Sequence, residues 1–230
     1  MIDKIFRNVH IGTFSGVPII LHKTYLMFMI LVYLMDLVSH GIATAFASMG
    51  WIVIIHFFII VHEYGHIFAA RKFGIGCDKI YLTPIGGVAC LEEGFAHISP
   101  KEEFIISISG PATHLVWLVI LYGISFTFNI PIILGLSKVP NSLSIITTLH
   151  IIIFLFNLVP AFPMDGGRIF RSIMMSKFNM SKHKATKILF YIGPIILLVV
   201  GILLKNFFVF VILLFVLMAT RHELKNLRGY

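Results

Sequence analysis

His62, Glu63 and His66 form a His-Glu-x-x-His motif, whose residue types and spacing can hold a metal ion and direct it at water. Side chains four residues apart share one face of an α-helix, with Cβ atoms about 5–6 Å apart, so both imidazoles can bind one metal. Glu63 follows the first ligand and is placed to take a proton from a water molecule. This division of labour is the zinc-hydrolase interpretation of the motif.

The motif lies inside an apolar stretch, FFIIVHEYGHIFAA, at residues 57–70. An ionisable residue in a transmembrane segment costs about 2.5–3.5 kcal/mol even on insertion scales. Chance placement of two histidines and a glutamate on one helix is the alternative interpretation, and this cost weakens it. The pattern therefore favours a metal site.

A catalytic zinc usually takes three protein ligands and leaves one position for water. The stretch FNLVPAFPMDGGR, residues 156–168, is the best source for the third, because it carries Asp165 just beyond an apolar segment. Its two prolines interrupt the helix, and its two glycines permit a tight turn and a close approach. The alternative is that Asp165 is an ordinary turn residue before two glycines.

The chain has 230 residues, of which 58% are hydrophobic and 12% charged, and its mean hydropathy is +0.97. A soluble domain averages about 45–50% apolar and about 25% charged residues, so this composition predicts an integral membrane protein. We expect a single membrane-embedded domain over residues 1–230, without a cleavable signal peptide. The net charge of +8 does not indicate nucleic-acid binding, because in a membrane protein the location of Lys and Arg matters more than their total.

Six segments are apolar enough to span a bilayer, at residues 24–42, 46–70, 103–125, 143–160, 187–204 and 206–221. If they alternate in direction, 16 of the 18 Lys and Arg residues lie on one side, and only Lys138 and Lys205 lie on the other. The positive-inside rule then places both termini in the cytoplasm of a multi-pass cell-membrane protein. The second and fourth segments both run toward the cytoplasm, so the motif and Asp165 should share one depth, with a cytoplasmic opening.

Two stretches have strand patterns instead. Residues 9–21 are rich in β-branched residues, and residues 76–92 predict two short strands around PIGG, residues 84–87. The predicted fold class is therefore membrane all-α, a six-transmembrane-helix bundle with a small β-sheet on the cytoplasmic side. Cys77 and Cys90 should stay as free thiols there, since cytoplasmic disulfides are rare.

Four motifs together resemble a known family. HEYGH in one apolar segment and NLVPAFPMDGGR in another, with PIGG and ISGP between them, are similar to the site-2 proteases, intramembrane zinc metalloproteases of peptidase family M50. The resemblance covers nearly the whole chain and corresponds to the compact form without PDZ or CBS domains. It implies one zinc ion per chain, held by His62, His66 and Asp165, with Glu63 as catalytic base and Asn157 as the group that stabilises the oxyanion.

Several polar residues keep two interpretations. An amide donor at Asn157 suits an oxyanion, but a buried asparagine can also bond between helices. His114 stands where the family commonly has asparagine, and with KEEF and Trp117 it is similar to the sporulation members that process a sigma factor. It could bond to the metal site's surroundings or contact substrate. Packing between helices is the alternative for His114, as it is for His56 and His150.

The resemblance implies regulated intramembrane proteolysis, the zinc-dependent hydrolysis of a peptide bond in or near the transmembrane segment of another membrane protein. An extended substrate could add to a strand edge at Pro84, Ile85, Gly86, Gly87 and Val88. The implied partners are this transmembrane substrate and the lipid bilayer, with a separate regulatory membrane protein left open and no nucleic acid.

Two other functions compete with proteolysis. A non-catalytic zinc-binding membrane protein, such as a transporter or sensor, needs metal ligands but neither a base nor an oxyanion donor. A scaffold that has lost its activity is the second. Every residue type that catalysis needs is present, so we expect a zinc metalloendopeptidase, and the variant Glu63→Gln separates the alternatives.

Overall fold

A computed structural model of the chain describes residues 8–84, 86–91, 98–134, 141–205 and 208–226. Its internal contacts divide it into two units, Met1–His97 and Ile98–Tyr230. The first unit contains the His-Glu-x-x-His motif, and the second contains Asp165.

The first unit combines two long helices with a four-stranded sheet. Its elements are β1 (Val9–Phe14), β2 (Val17–Leu21), α1 (Lys23–His40), α2 (Ile42–Arg71), β3 (Cys77–Thr83) and β4 (Gly86–Leu91). The strand order is β1-β2-β3-β4, with antiparallel pairs at both ends and a parallel pair between β2 and β3. The strands expected within 9–21 and 76–92 are confirmed, and the last strand of the described sheet is β4.

One face of α2 packs on this sheet. Tyr64 and Ile67 from α2 meet Val17 of β2 and Ile80 and Leu82 of β3 in a buried apolar cluster. Alternate residues of a strand point to opposite faces, which is why Ile80 and Leu82 enter the same cluster. Burial of this cluster fixes the rotation of α2 about its own axis, and with it the direction of every other side chain on that helix.

The second unit is helical in its described residues. It contains α3 (Pro100–Phe128), α4 (Ser142–Asn157), α5 (Asp165–Phe178), α6 (Lys182–Leu204) and α7 (Phe208–Asn226). A capping box starts α3, with Ser99 and Glu102 each bonding the other's backbone N–H. The prediction of helices near 103–125, 143–160, 187–204 and 206–221 is confirmed in position, but α5 was not predicted.

Within the described residues, four helices are long and apolar enough to cross a membrane by length and composition, namely α1, α2, α3 and residues 182–203 of α6. Helix α4 is apolar but has only 16 residues, fewer than the about 20 that a perpendicular span needs. Side chains on these helices remain exposed, with Val38 at 86% and Phe126 at 87%. Such surfaces suit lipid, and the number of spans stays a prediction.

Candidate metal centre

His62 and His66 converge on one face of α2. Both are buried, at 6% and 8% exposure, and their Nε2 atoms lie 3.1 Å apart. The spacing of four residues along a regular helix produces this pairing without help from any other segment. Two ring nitrogens at this distance could supply two of the three protein ligands that a catalytic zinc usually takes.

Glu63 projects from the next position of α2 toward strand β4. The backbone N–H of Ala89 donates to its Oε2 atom at 3.1 Å. Opposite the same side chain is Gly87, where an added Cβ would lie 2.7 Å from the Cγ of Glu63. The strand therefore holds the carboxylate through one backbone donor and leaves space for it through a missing side chain.

The C-terminal part of α2 is hydrogen-bonded to the β1–β2 hairpin. The Tyr64 hydroxyl donates to the carbonyl of Phe14 at 2.8 Å, and Arg71 donates to both the hydroxyl and the carbonyl of Ser15. His56 lies nearer the N-terminus of α2, and its Nε2 atom is 3.4 Å from the carbonyl oxygen of Thr83. Contacts with backbone atoms before, within and after the motif therefore fix the position of α2 against the sheet.

Asp165 begins α5 in the second unit, directly after a loop with a cis peptide bond between Phe162 and Pro163. The next residue, Gly166, is approached so closely that an added Cβ would lie 2.2 Å from the carbonyl oxygen of Val159. The sequence predicted this close approach but not that a helix starts here. Asp165 is half-buried.

Asn157 is the last residue of α4, and its amide donates to the carbonyl of Ile153 at 3.0 Å. An asparagine amide has two N–H donors, so this bond uses one of them. His114 and His150 are both buried, with their Nδ1 atoms 2.8 Å apart. The structure thus places His114 between helices α3 and α4, where it bonds to a second histidine of the same unit.

The candidate substrate-binding residues lie at the turn and start of β4. Pro84 follows β3, Gly86 and Gly87 open β4, and Val88 is 51% exposed. Ile85 lies outside the described residues. Cys77 in β3 and Cys90 in β4 are free thiols, as predicted. Burial raises the pKa of both thiols.

Sequence reasoning missed two residues that bear on the site. Ala89 acts through its backbone N–H, and an alanine in a strand gives no sign of such a role. Arg171 is 1% exposed and was read only as one of many cytoplasmic positive charges. Its burial could have been suspected from its place one helical turn after Gly167, where a missing side chain permits close packing, had α5 been recognised.

Known proteins resemble the chain over most of its length. The model of peptidase family M50 matches residues 50–138 and 132–200. A zinc metalloprotease of Methanocaldococcus jannaschii is 32% identical over 94% of this chain and 60% of its own length. Stage IV sporulation protein FB of Bacillus subtilis is 30% identical over 48% of this chain and 35% of its own length. This chain thus spans less than two-thirds of either relative.

A solved structure matches more completely. The site-2 protease of Methanocaldococcus jannaschii shares 29% sequence identity, with a TM-score of 0.62 and coverage of 95% of both chains. The helices and the small sheet described above are therefore those of a site-2 protease fold. With the family match spanning more than half of the sequence, the chain belongs to peptidase family M50.

Proposed function

We propose that this protein is an intramembrane zinc metalloendopeptidase that cleaves a peptide bond in or near the transmembrane segment of a membrane-protein substrate. The observation that carries the proposal is the buried pair of histidine Nε2 atoms, 3.1 Å apart, with Glu63 on the same helix. Membership of peptidase family M50 supports it. The alternatives of a transporter, a sensor or an inactive scaffold are not favoured by any feature of the site.

The residues present fit one zinc ion. Tetrahedral zinc holds imidazole nitrogens at about 2.0–2.1 Å, which places two of them about 3.3 Å apart. The observed 3.1 Å between the Nε2 atoms of His62 and His66 is close to this spacing. Asp165 is the proposed third ligand, because two imidazoles and one carboxylate form a common catalytic zinc set. When bound, zinc supplies the Lewis acidity that activates water and polarises the scissile carbonyl.

Glu63 is the proposed general base. Its carboxylate accepts a hydrogen bond from the backbone N–H of Ala89, which fixes one oxygen. The other oxygen is available to take a proton from the attacking water and to return it to the leaving amine. The Asn157 amide has one donor left after its bond to Ile153, and that donor can stabilise the oxyanion.

The substrate is proposed to bind in extended form along β4, at Pro84, Ile85, Gly86, Gly87 and Val88. Helical substrates hide their carbonyls in internal bonds, so the segment to be cut must unwind first. An edge strand offers the freed backbone groups new partners. Because the Ala89 N–H already bonds Glu63, the free part of the edge precedes Ala89, beside the base.

The proposed membrane placement is a six-span protein of the cell membrane with both termini, the sheet and the site opening on the cytoplasmic side. Helix α2 has 30 residues and so is about 45 Å long, more than the about 30 Å hydrocarbon core. His66 lies five residues before its end at Arg71, or about 8 Å along the axis. Water then has only part of the bilayer to cross. A lipid bilayer and a transmembrane substrate are the proposed partners, and a separate regulatory membrane protein is compatible.

The test is metal analysis of the purified protein together with cleavage of a reporter transmembrane substrate in proteoliposomes. We expect about one zinc per chain in the wild type, and Glu63→Gln should keep zinc while losing about 10²–10⁴-fold in activity, the range for a general base. Glu102→Gln is the matched control, since glutamine also serves in a capping box. Wild-type protein without zinc, or full cleavage by Glu63→Gln, would refute the proposal.

A further inference from the structure

Arg171 is a charged side chain in the interior of the second unit. It is 1% exposed and lies on α5, six residues after Asp165. An unpaired charge in such surroundings costs several kcal/mol even after relaxation, so a buried arginine must be paired. The identity of its partners shows what the charge holds in place.

The guanidinium joins α5 to three other helices. Its Nε and Nη2 atoms both donate to Oε1 of Glu103 on α3, the first at 3.0 Å. Its Nη1 atom donates to Oε1 of Glu223 on α7 at 2.7 Å and to the hydroxyl of Thr186 on α6 at 3.2 Å. Glu103 and Thr186 are themselves buried. The rigid fork of an arginine suits this multiple attachment in a way that a lysine does not.

The same guanidinium also contacts the loop that leads into Asp165. Its central carbon lies 4.8 Å from the centroid of the Phe162 ring, a cation–π geometry. The Thr220 hydroxyl of α7 also lies 3.4 Å from the carbonyl of Phe162, but its single proton has a shorter acceptor in the carbonyl of Val216 at 2.8 Å. The contact with Arg171 is therefore the stronger of the two on Phe162, three residues before Asp165.

We infer that Arg171 is a positioning residue: through Phe162 it fixes the turn that presents the Asp165 carboxylate to the metal. The inference rests on the proposed function, because it needs Asp165 to be a ligand. The loop before Asp165 belongs to no helix or strand and has only turn-type backbone bonds, such as that from Ala161 to the carbonyl of Val159 at 2.7 Å. Its position therefore depends largely on contacts with the rest of the unit. A regular helix supplies the histidines without this help.

The charges of the cluster favour a permanent attachment. Burial by itself would raise the pKa of Glu223, but the charge and hydrogen bond of Arg171, together with the charges of Arg168 and Lys182, lower it overall. Glu223 therefore stays ionised at neutral pH, and its bond to Arg171 is charge-assisted. Such bonds are about twice as strong as neutral ones, which suits a fixed support better than a switch.

A purely stabilising ion cluster is the competing explanation, and the test separates the two. We would replace the cluster with apolar residues in the triple variant Arg171→Met, Glu103→Leu and Glu223→Leu. Replacing a buried ion cluster in this way is often neutral or stabilising. We expect thermal stability near wild type, but zinc release to a chelator about tenfold faster. Lys177→Met, an exposed basic residue on the same helix, is the matched control.

A second variant covers the case in which the triple variant does not fold. Phe162→Leu leaves the ion cluster intact and removes the ring that the guanidinium contacts, together with some buried volume, because Phe162 is 2% exposed. We again expect faster zinc release. Wild-type zinc release in either folded variant would overturn the inference. Asp165→Ala separates this from the proposed function, since zinc retained by Asp165→Ala would show that the metal site itself is wrong.

Discussion

The histidine helix α2 and the Asp165 turn hold their proposed metal-binding side chains by different physical means. His62 and His66 belong to one unbroken helix, so their Nε2 atoms come within 3.1 Å through the helical repeat alone. Asp165 follows an irregular loop, and its position depends on the close approach of Gly166 to Val159 and on the contact between Phe162 and Arg171. Local geometry can fix two ligands of a metal site, whereas the remaining ligand needs contacts between distant segments.

The largest expected effect comes from removing one ligand in each region. His62→Ala and Asp165→Ala should each lower zinc affinity by more than about 100-fold, since losing only a ligand's hydrogen-bonding partner costs about 10–100-fold. Competition with a chromophoric chelator measures this. His40→Ala, which removes an exposed histidine of α1, is the control. Equal zinc affinity in Asp165→Ala and wild type would show that the Asp165 turn does not supply a metal ligand.

Gly166→Ala should disturb the Asp165 turn severely. The new Cβ would lie 2.2 Å from the carbonyl oxygen of Val159, and a backbone atom cannot move aside cheaply. Overpacking of this kind typically costs about 1–3 kcal/mol, and here it displaces the residue next to the ligand. We expect lower thermal stability and lost zinc. Gly50→Ala on α2, with open space around it, is the control, and a zinc-replete Gly166→Ala protein would contradict the prediction.

Gly87→Ala should produce the opposite combination, zinc retained and activity lost. Its new Cβ would lie 2.7 Å from Cγ of Glu63, a flexible side chain that can move away. Displacing a reacting group by about 1 Å can cost about 10²-fold in rate. Zinc content and kcat are measured side by side, again with Gly50→Ala as control. If kcat is unchanged, the contact between β4 and Glu63 is not used in catalysis.

The smallest effect concerns the two thiols of the sheet. Burial raises the pKa of Cys77 and of Cys90, so less thiolate is present than in the unfolded chain. Alkylation should be slower in the native protein near pH 8, and the difference should close as pH rises past the raised pKa. Mass spectrometry of native and denatured samples across pH measures the rates. Native rates equal to denatured ones near pH 8 would contradict burial of this strand pair.

Helix α5 shows why part of the second unit escaped prediction. Its first turn contains Gly166 and Gly167, and each glycine costs about 1 kcal/mol in a helix interior relative to alanine. The helix forms because Ile169, Arg171 and Ser172 are buried against the rest of the unit. Tertiary packing outweighed local propensity, and the same packing converted Arg171 from an expected surface charge into an interior one.

The sequence by itself determined the membrane class, the positions of the apolar helices and strands, the pairing of His62 with His66, and the family motifs. These follow from composition and from spacing along single elements, which neighbouring residues decide. Only the tertiary structure decided the parallel pairing of β2 with β3, the bond between Ala89 and Glu63, and the burial of Arg171. Each of these interactions joins segments that are far apart in the chain. A local sequence pattern does not show which distant group will be the hydrogen-bond partner of a given residue.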